Sequence, residues 1–321
     1  MAGSTLDRSF GVLRDAVRGG HNAQGPVERA VGSRAADVAE AIVNEIQQST
    51  ALDGLAQTVG AAVGKVLQPG KRKDLASGTW MGHPAHPPLT DVVIGAWTSA
   101  MLLDLLGGPA AAEGADKLIG IGVLAALPTV GTGLSELADL GTQNERAVAA
   151  AHGIGQAAAV ALYATSYLAR KSGSRALGVA LSTLGAGVMT AAAFLGGHLS
   201  FRRAVGVDHT ALEWYGDEWT PVLDEGELAD SPVLVNADGN DVMLYRNGST
   251  ICALAEHCMH AGGPLHEGTV EAGRVTCPWH GSRFNLADGS LVRGPATAPQ
   301  PSYETRVEEG KIEVRPRRPS A

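Results

Sequence analysis

The chain has 321 residues and a formal net charge of −8, an acidic balance that argues against nucleic acid as a partner. A hydrophobic share of 45% excludes wholesale disorder, and three cysteines are too few for a disulfide framework. Aromatic residues make up only 4%, while glycine alone accounts for 42 residues. The apolar part must therefore consist mainly of Ala, Val, Leu and Gly, which suits closely packed helices.

Three stretches of different character predict a multi-domain chain. Residues 1–82 form a polar region with helical patterns, including amphipathic helices at Arg34–Gln48 and Leu52–Leu67, and Met1–Asp53 shows no signal-peptide pattern. Residues 83–207 hold the long apolar runs and predict an all-α domain. Residues 208–321 are rich in turns and β-formers and predict an all-β domain. From residue 204 onward, 9 Lys and Arg face 18 Asp and Glu, a net charge of −9 concentrated in this last module.

Four apolar segments occupy the middle of the chain: Leu89–Leu106, Leu118–Ser135, Ala147–Leu168 and Leu177–Phe201. Crossing a bilayer takes about 20 apolar residues in a helix, a length that the third and fourth segments reach. The first segment carries Asp91 and Asp104, and the second contains Pro128, so either alone would also suit a buried helix of a soluble protein. As a set with short loops and many small residues, they predict a four-helix transmembrane bundle.

Four spans place both ends of the chain on the same side of the membrane. The flanks on that side carry Lys71, Arg72, Lys73, Arg146, Arg202 and Arg203. The opposite flanks carry Lys117, Arg170, Lys171 and Arg175. By the positive-inside rule, this balance favours cytoplasmic ends in a multi-pass protein of the inner, or plasma, membrane, although the loop at Arg170–Arg175 argues against it.

The C-terminal module begins with a pattern of short strands. Pro232–Asn236, Asp241–Arg246 and Thr250–Ala255 predict strands, with hairpin turns at Asp238-Gly239 and Asn247-Gly248 between them. Tyr303–Val307 and Lys311–Val314 predict two closing strands.

Two loops after these first strands carry the candidate metal ligands. The first reads Cys258-Met259-His260-Ala261-Gly262-Gly263-Pro264, and the second reads Cys277-Pro278-Trp279-His280-Gly281-Ser282. Two Cys and two His could hold one tetrahedral zinc, or a [2Fe-2S] cluster with two thiolates on one iron and two imidazoles on the other. A zinc finger usually pairs Cys with Cys and His with His along the chain, whereas each loop here mixes them. The candidate ligands are Cys258, His260, Cys277 and His280.

At these residues the sequence resembles the Rieske iron–sulfur family, from near Glu213 to Arg315. The resemblance includes Gly-Ser-Arg-Phe-Asn-Leu-Ala-Asp-Gly at 281–289 and the proline-rich stretch that starts at Gly294. It implies an antiparallel all-β domain with a cluster-binding subdomain, and a [2Fe-2S] cluster held by the four candidate ligands. The function that it implies is the transfer of single electrons.

Departures from the family pattern indicate its ferredoxin-like branch. Rieske proteins of the cytochrome bc type have a disulfide between the two loops, where this chain has Gly263 and Trp279, and a tyrosine near a ligand sulfur, where it has Phe284. Ser282 is retained and could donate a hydrogen bond to a sulfide, while Trp279 is expected to shield the cluster. Fewer hydrogen bonds to the sulfurs stabilise the reduced cluster less, so the resemblance implies a lower potential than in the bc type.

Three residues near the loops lie outside the ligand pattern. His257 and His266 are expected on the surface, and Cys252 is expected to pack inside a strand.

Only 41 residues follow His280, which is too few for the mononuclear-iron domain of ring-hydroxylating oxygenases. We therefore expect an electron-transfer component without a substrate-oxidising domain, whose acidic surface suits a basic redox partner such as a reductase, oxygenase or cytochrome.

The apolar bundle resembles a second family, the four-helix membrane domain known as DUF2231. The resemblance rests on residues 83–91, His-Pro-Ala-His-Pro-Pro-Leu-Thr-Asp, and on Gly-Gly-His-Leu at 196–199 with Arg-Ala-Val-Gly-Val at 203–207. His86, His152 and His198 would then fall at one end of the bundle, the end that bears the Rieske module. They could ligate a haem b, help to bind a quinone, or form a polar cluster that joins the helix ends.

Two further functions therefore remain open beside the electron carrier. One is a membrane oxidoreductase that uses haem or quinone in the bundle, and the other is a redox or iron sensor. A structural zinc site in the two loops is the remaining alternative.

Overall fold

The computed structural model describes residues 34–211 and 216–317. Its helices are α1 (Arg34–Gln47), α2 (Thr50–Val66), α3 (Lys71–Ser77), α4 (His86–Leu106), α5 (Ala112–Leu137), α6 (Gln143–Lys171) and α7 (Arg175–Arg203). Residues 1–33 of the predicted N-terminal region, and Glu213 at the start of the Rieske resemblance, lie outside the described residues. From Ile46 onward the described residues form one compact unit. The division at residues 82 and 207 stays a prediction.

The first two helices lie where the amphipathic patterns predicted them. α2 begins at Thr50, two residues before the predicted Leu52, because the Ser49 side chain accepts a hydrogen bond from the backbone N–H of Leu52 and caps the helix.

Helices α4 to α7 are long and apolar enough, by length and composition, to cross a membrane. They extend beyond the predicted segments, and α4 reaches 21 residues because it already begins at His86. Pro87 and Pro88 are tolerated there. Proline lacks a backbone N–H, and the N–H groups of a first helical turn make no hydrogen bonds within the helix. α5 continues through Pro128. Many leucines are exposed on the outside of these helices, as a lipid-facing surface requires: Leu105, Leu124, Leu127, Leu168 and Leu184.

Small residues let the helices of the bundle approach one another closely. The largest side chains inside are Trp97 of α4 and Tyr163 of α6, whose rings stack with centroids 3.8 Å apart. The indole Nε1 of Trp97 donates to the carbonyl of Ile119 at 3.3 Å. A Cβ added at Gly122 of α5 would lie 2.2 Å from that nitrogen. The aromatic pair therefore depends on glycine at position 122.

We expect the Gly122→Ala substitution to destabilise the bundle by about 1–3 kcal/mol, the usual cost of overpacking a well-packed core. Gly131→Ala is the matched control in the same helix, because its added Cβ has no atom within 4 Å apart from its chain neighbours and the surrounding backbone of its own helix. Thermal unfolding of the purified chain in detergent measures both. Equal unfolding midpoints for the two variants would contradict the packing described here.

At one end of the bundle, each of the four helices contributes one charged residue to a buried network. The side chain of Arg170 on α6 is 0% exposed and lies 2.5 Å from Asp104 of α4 and 3.0 Å from Asp116 of α5. Arg175 of α7 contacts the same two carboxylates at 2.5 and 2.7 Å. Arg170 and Arg175 therefore lie within helices and pair with acids, rather than in a basic loop as the sequence predicted. Lys73, which the sequence analysis assigned to the flanks at the other end of the bundle, is likewise buried.

Between residues 216 and 317, the structure has ten antiparallel strands. They are β1 (Thr220–Asp224), β2 (Val233–Ala237), β3 (Asn240–Asn247), β4 (Thr250–Ala255), β5 (Thr269–Glu271), β6 (Arg274–Thr276), β7 (Arg283–Asn285), β8 (Leu291–Arg293), β9 (Ser302–Glu308) and β10 (Lys311–Pro316). A six-stranded sheet has the order β1-β10-β9-β4-β3-β2, and a four-stranded sheet has the order β5-β6-β7-β8.

The strand and turn predictions are confirmed to within a residue or two. Asp238 and Gly239 both have positive φ, 49° and 90°, as a tight hairpin turn requires, and Gly248 has φ 66° in the next turn. The small sheet that carries the second loop, β5 to β8, went unrecognised because its strands are only three residues long. Sequence periodicity needs four or more residues to show a strand.

Candidate metal centre

The two loops with the candidate ligands share one backbone construction. In each, the cysteine N–H donates to the carbonyl five residues later, at 2.9 Å from Cys258 and 2.8 Å from Cys277. The N–H four residues after each cysteine donates back to the cysteine carbonyl, at 2.7 and 3.1 Å. These positions are Gly262 and Gly281, with φ 74° and 77°, a conformation that favours glycine. Both loops thus turn sharply around their cysteine.

The two thiols come together between the loops. Cys258 and Cys277 are 1% and 3% exposed, and their side chains share a hydrogen bond. That bond and burial raise the pKa of Cys258, while the same bond lowers the pKa of Cys277 to about 7. Backbone contacts from Trp279 and His280 further favour the Cys277 thiolate. One thiolate therefore forms readily at neutral pH, which suits metal binding.

The two imidazoles form a second pair, with ring centroids of His260 and His280 5.0 Å apart. Burial, together with the neighbouring His280 and Lys73, lowers the pKa of His260 to about 3. Burial also lowers the pKa of His280. Both rings are therefore neutral at physiological pH, the state in which imidazole coordinates metals.

The residues expected around the ligands have distinct environments. Ser282 is fully buried, its Oγ accepts from the Ala296 N–H at 3.0 Å, and its side chain hydrogen-bonds the Cys258 thiol. Phe284 is fully buried in the same apolar core as both ligand cysteines. Trp279 packs over Gly263, where an added Cβ would lie 3.1 Å from the indole, and is otherwise 56% exposed.

Sequence reasoning missed a glutamine that fastens the first loop. Gln300 is 1% exposed, its Oε1 accepts from the Met259 N–H at 3.0 Å, and its Nε2 donates to the carbonyls of Ala255 and His257 at 2.9 and 2.7 Å. It lies inside the proline-rich stretch, where its polar side chain gives no signal of burial.

The surface prediction is confirmed for His257 and wrong for His266. His257 is exposed. The Nδ1 of His266 lies 2.5 Å from Oε1 of Glu256, a carboxylate only 2% exposed, and the His266 ring is half-buried over it. A buried carboxylate needs a partner, and here the histidine supplies it. Cys252 is buried in β4, as expected for packing.

The segment before α4 packs against the loops of the β domain. Oδ1 of Asp74 accepts from the Gly294 N–H at 3.0 Å, and the Thr79 hydroxyl donates to the Ala296 carbonyl at 3.0 Å. A Cβ at Gly294 would lie 2.1 Å from Oγ1 of Thr79. The candidate metal centre is therefore held against the helical part of the chain.

The three membrane histidines each hydrogen-bond a residue of another helix. The distances are 3.0 Å from His86 Nδ1 to the Thr129 carbonyl, 2.8 Å from His152 Nδ1 to the Ala192 carbonyl, and 2.9 Å from His198 Nε2 to Gln47 Nε2. This arrangement is consistent with a polar cluster that joins the helices. Haem ligation by these histidines stays a prediction.

Comparison with known proteins finds a family for each of two regions of the chain. Residues 218–304 match the Rieske [2Fe-2S] domain, and residues 82–209 match the predicted membrane protein family DUF2231. The anthranilate 1,2-dioxygenase ferredoxin subunit of Burkholderia cepacia is 32% identical over 98 residues, which cover 30% of this chain and 91% of the relative.

Two other similarities are of comparable length. The apoptosis-inducing factor 3 of Mus musculus is 31% identical over 93 residues, 29% of this chain, which spans only 15% of that relative's length. The solved ferredoxin of carbazole 1,9a-dioxygenase from Nocardioides aromaticivorans IC177 is 28% identical, with a TM-score of 0.30, and the match covers 31% of this chain and 98% of that one.

These matches identify a Rieske domain joined to a predicted membrane domain. The chain belongs to the Rieske [2Fe-2S] family, and its Rieske domain follows a DUF2231 domain with four apolar helices. The predicted fold class, an all-α four-helix bundle with an antiparallel all-β Rieske domain, is confirmed.

The donor set suits the [2Fe-2S] cluster that this family implies. The two cysteine thiols contact each other, and the two imidazole rings lie against each other. The two sulfur donors and the two nitrogen donors therefore form separate pairs. A cluster with two thiolates on one iron and two imidazoles on the other needs this separation. Within residues 34–211 and 216–317, no three Cys, His, Asp or Glu side chains converge as ligands of a single ion.

Proposed function

We propose that the chain is a membrane-anchored electron carrier whose Cys258, His260, Cys277 and His280 hold the [2Fe-2S] cluster. The observation that carries this proposal is the pairing of thiol with thiol and of neutral imidazole with neutral imidazole, across two loops of the same construction. When bound, the cluster accepts and donates one electron at a time. The loops contribute rigid backbone, buried thiols and glycines that leave the sulfurs room.

The redox partner is proposed from charge and from the relatives. The Rieske part is acidic, and relatives of this domain include ferredoxin components of dioxygenase systems. We propose a partner protein with a basic docking face, such as a reductase, an oxygenase or a cytochrome.

The anchoring and orientation rest on the helical part. Four apolar helices support a multi-pass inner-membrane or plasma-membrane protein with both ends on the same side. We propose that this side, which also bears the Rieske domain, is the cytoplasmic one. The flanking Lys71, Arg72, Arg202 and Arg203 support that side.

A reductive titration tests the proposed function. Dithionite added to the purified full chain in detergent is expected to bleach a visible absorbance with one electron equivalent per chain, and ferricyanide is expected to restore it. A chain that takes up no electrons would refute the carrier function.

Ser282 offers a prediction on the potential of the cluster. Its hydroxyl contacts the Cys258 sulfur while Oγ accepts from the Ala296 N–H, so its proton is available for donation. Since a hydrogen bond to sulfur stabilises the reduced cluster, Ser282→Ala is expected to lower the midpoint potential. Redox titration of this variant checks it, with Ser282→Thr as the control that keeps the hydroxyl. An unchanged or raised potential in Ser282→Ala would contradict the assignment.

A further inference from the structure

One acidic residue of the helical part, Asp139, touches both imidazoles of the metal centre. It lies two residues beyond the end of α5, before α6 begins at Gln143. Its Oδ2 is 3.5 Å from Nε2 of His260, and its backbone carbonyl accepts a hydrogen bond from the His280 ring. Asp139 therefore brings the membrane domain into contact with the imidazole edge of the Rieske domain.

Asp139 is itself paired with a buried lysine. The Nζ of Lys73, on α3, lies 2.7 Å from Oδ2 of Asp139 and donates to the carbonyl and the hydroxyl of Ser135 at 2.8 and 3.0 Å. Lys73 is only 4% exposed. Three oxygens thus hold its ammonium group on the far side of the Asp139 carboxylate. The carboxylate therefore faces the imidazole of His260 directly, and the ammonium group lies behind it.

Two neighbouring hydrogen bonds keep the Rieske loops in place beside Asp139 and Lys73. The Asp74 and Thr79 hydrogen bonds to Gly294 and Ala296 fasten the Rieske loops to the same segment that carries Lys73. A charge held at a fixed distance in a poorly hydrated contact acts more strongly than a mobile surface charge.

We propose that Asp139 and Lys73 form a potential-setting pair that the helical part of the chain supplies to the cluster, with Asp139 as a positioning residue for both ligand imidazoles. The proposal rests on the proposed ligand set. At 3.5 Å the carboxylate contact is longer than an ordinary hydrogen bond, so its influence is mainly electrostatic. Reduction adds negative charge, which the Asp139 carboxylate opposes and the Lys73 ammonium favours. The two residues therefore act on the potential with opposite signs.

The test is a redox titration of the full chain in detergent, followed by electron paramagnetic resonance (EPR). Asp139→Asn is expected to favour reduction by about tenfold in the equilibrium constant, which is about 59 mV for one electron. Lys73→Met is expected to shift the potential the other way, and the double variant is expected to return close to wild type. Asp139→Glu keeps the charge and is expected to stay near the wild-type potential.

Asp74→Asn is the matched control. It removes the same charge from the same interface, but Asp74 contacts the Gly294 N–H rather than an imidazole. Its shift is expected to be much smaller than that of Asp139→Asn, and a shift of equal size would mean that any nearby charge acts alike, which overturns the special role of Asp139.

The remaining outcomes separate this inference from the proposed function. Shifts of the same sign in Asp139→Asn and Lys73→Met would indicate a loosened interface and would overturn the pair. Unchanged potentials with a normal EPR signal would overturn it too, while leaving the carrier function intact. A wild-type chain without a reducible signal would overturn both. If Asp139→Asn fails to fold, an unmoved potential in Lys73→Met still rejects the proposal.

Discussion

Replacing Cys277 by serine is expected to remove nearly all cluster iron from the purified chain. Cys277 is the thiol whose pKa is lowered to about 7, and serine is a far weaker ligand because its hydroxyl does not ionise at neutral pH. Loss of residues that only orient a metal ligand already costs about 10–100-fold in affinity, so loss of a direct ligand should cost more. Iron and sulfide analysis of the purified variant measures the effect.

The third cysteine of the chain provides the control. Cys252 is buried in β4 of the same domain, and burial raises the pKa of its thiol, which suits packing rather than metal binding. Cys252→Ala is expected to keep the full iron content. Equal iron loss in both variants would show that the domain is merely fragile, and full iron in Cys277→Ser would reject the ligand.

The second large effect is expected at the opposite end of the bundle. Arg170→Gln removes one of two cations that balance Asp104 and Asp116, and its own side chain is 0% exposed. Breaking a buried ion pair by removing one partner costs about 3–5 kcal/mol, because the remaining charge is left uncompensated. A loss of this size in the free energy of unfolding, followed in detergent, is the expected result.

Two controls test whether the stability loss in Arg170→Gln comes from the buried ion pair. Glu113 and Lys117 form an exposed pair on α5, and Lys117→Gln is expected to change stability by less than about 0.5 kcal/mol. Adding Asp104→Asn to Arg170→Gln should recover part of the loss, since one uncompensated charge disappears. Strictly additive losses would show that the two residues do not act as a pair.

The ligand loops could be predicted from sequence because their chemistry is local. Each loop packs a cysteine, a histidine and the required glycine into seven residues or fewer, so the motif shows without any tertiary information. The hairpin turns at Asp238-Gly239 and Asn247-Gly248 follow from the same kind of local rule. The apolar spans were visible for a related reason, since a bilayer imposes a minimum length on each helix.

The contacts that surround the loops could not be predicted, because they join residues distant in sequence. Asp139 meets His260 across more than a hundred residues, and Gln300 reaches back to Met259 and His257 from a proline-rich stretch. Arg170 was counted as a loop charge because a sequence does not show which acid a cation finds. Such pairings depend on how the domains pack, and a single sequence carries little trace of them.

An EPR spectrum would show whether the chain holds a [2Fe-2S] cluster with two histidine ligands. The spectrum would be recorded on the dithionite-reduced full chain in detergent, with metal analysis on the same sample. We predict two irons per chain and a rhombic signal with a low average g value, as two imidazole ligands on one iron produce. One zinc per chain with no signal would mean a structural metal site and would contradict the electron-transfer function.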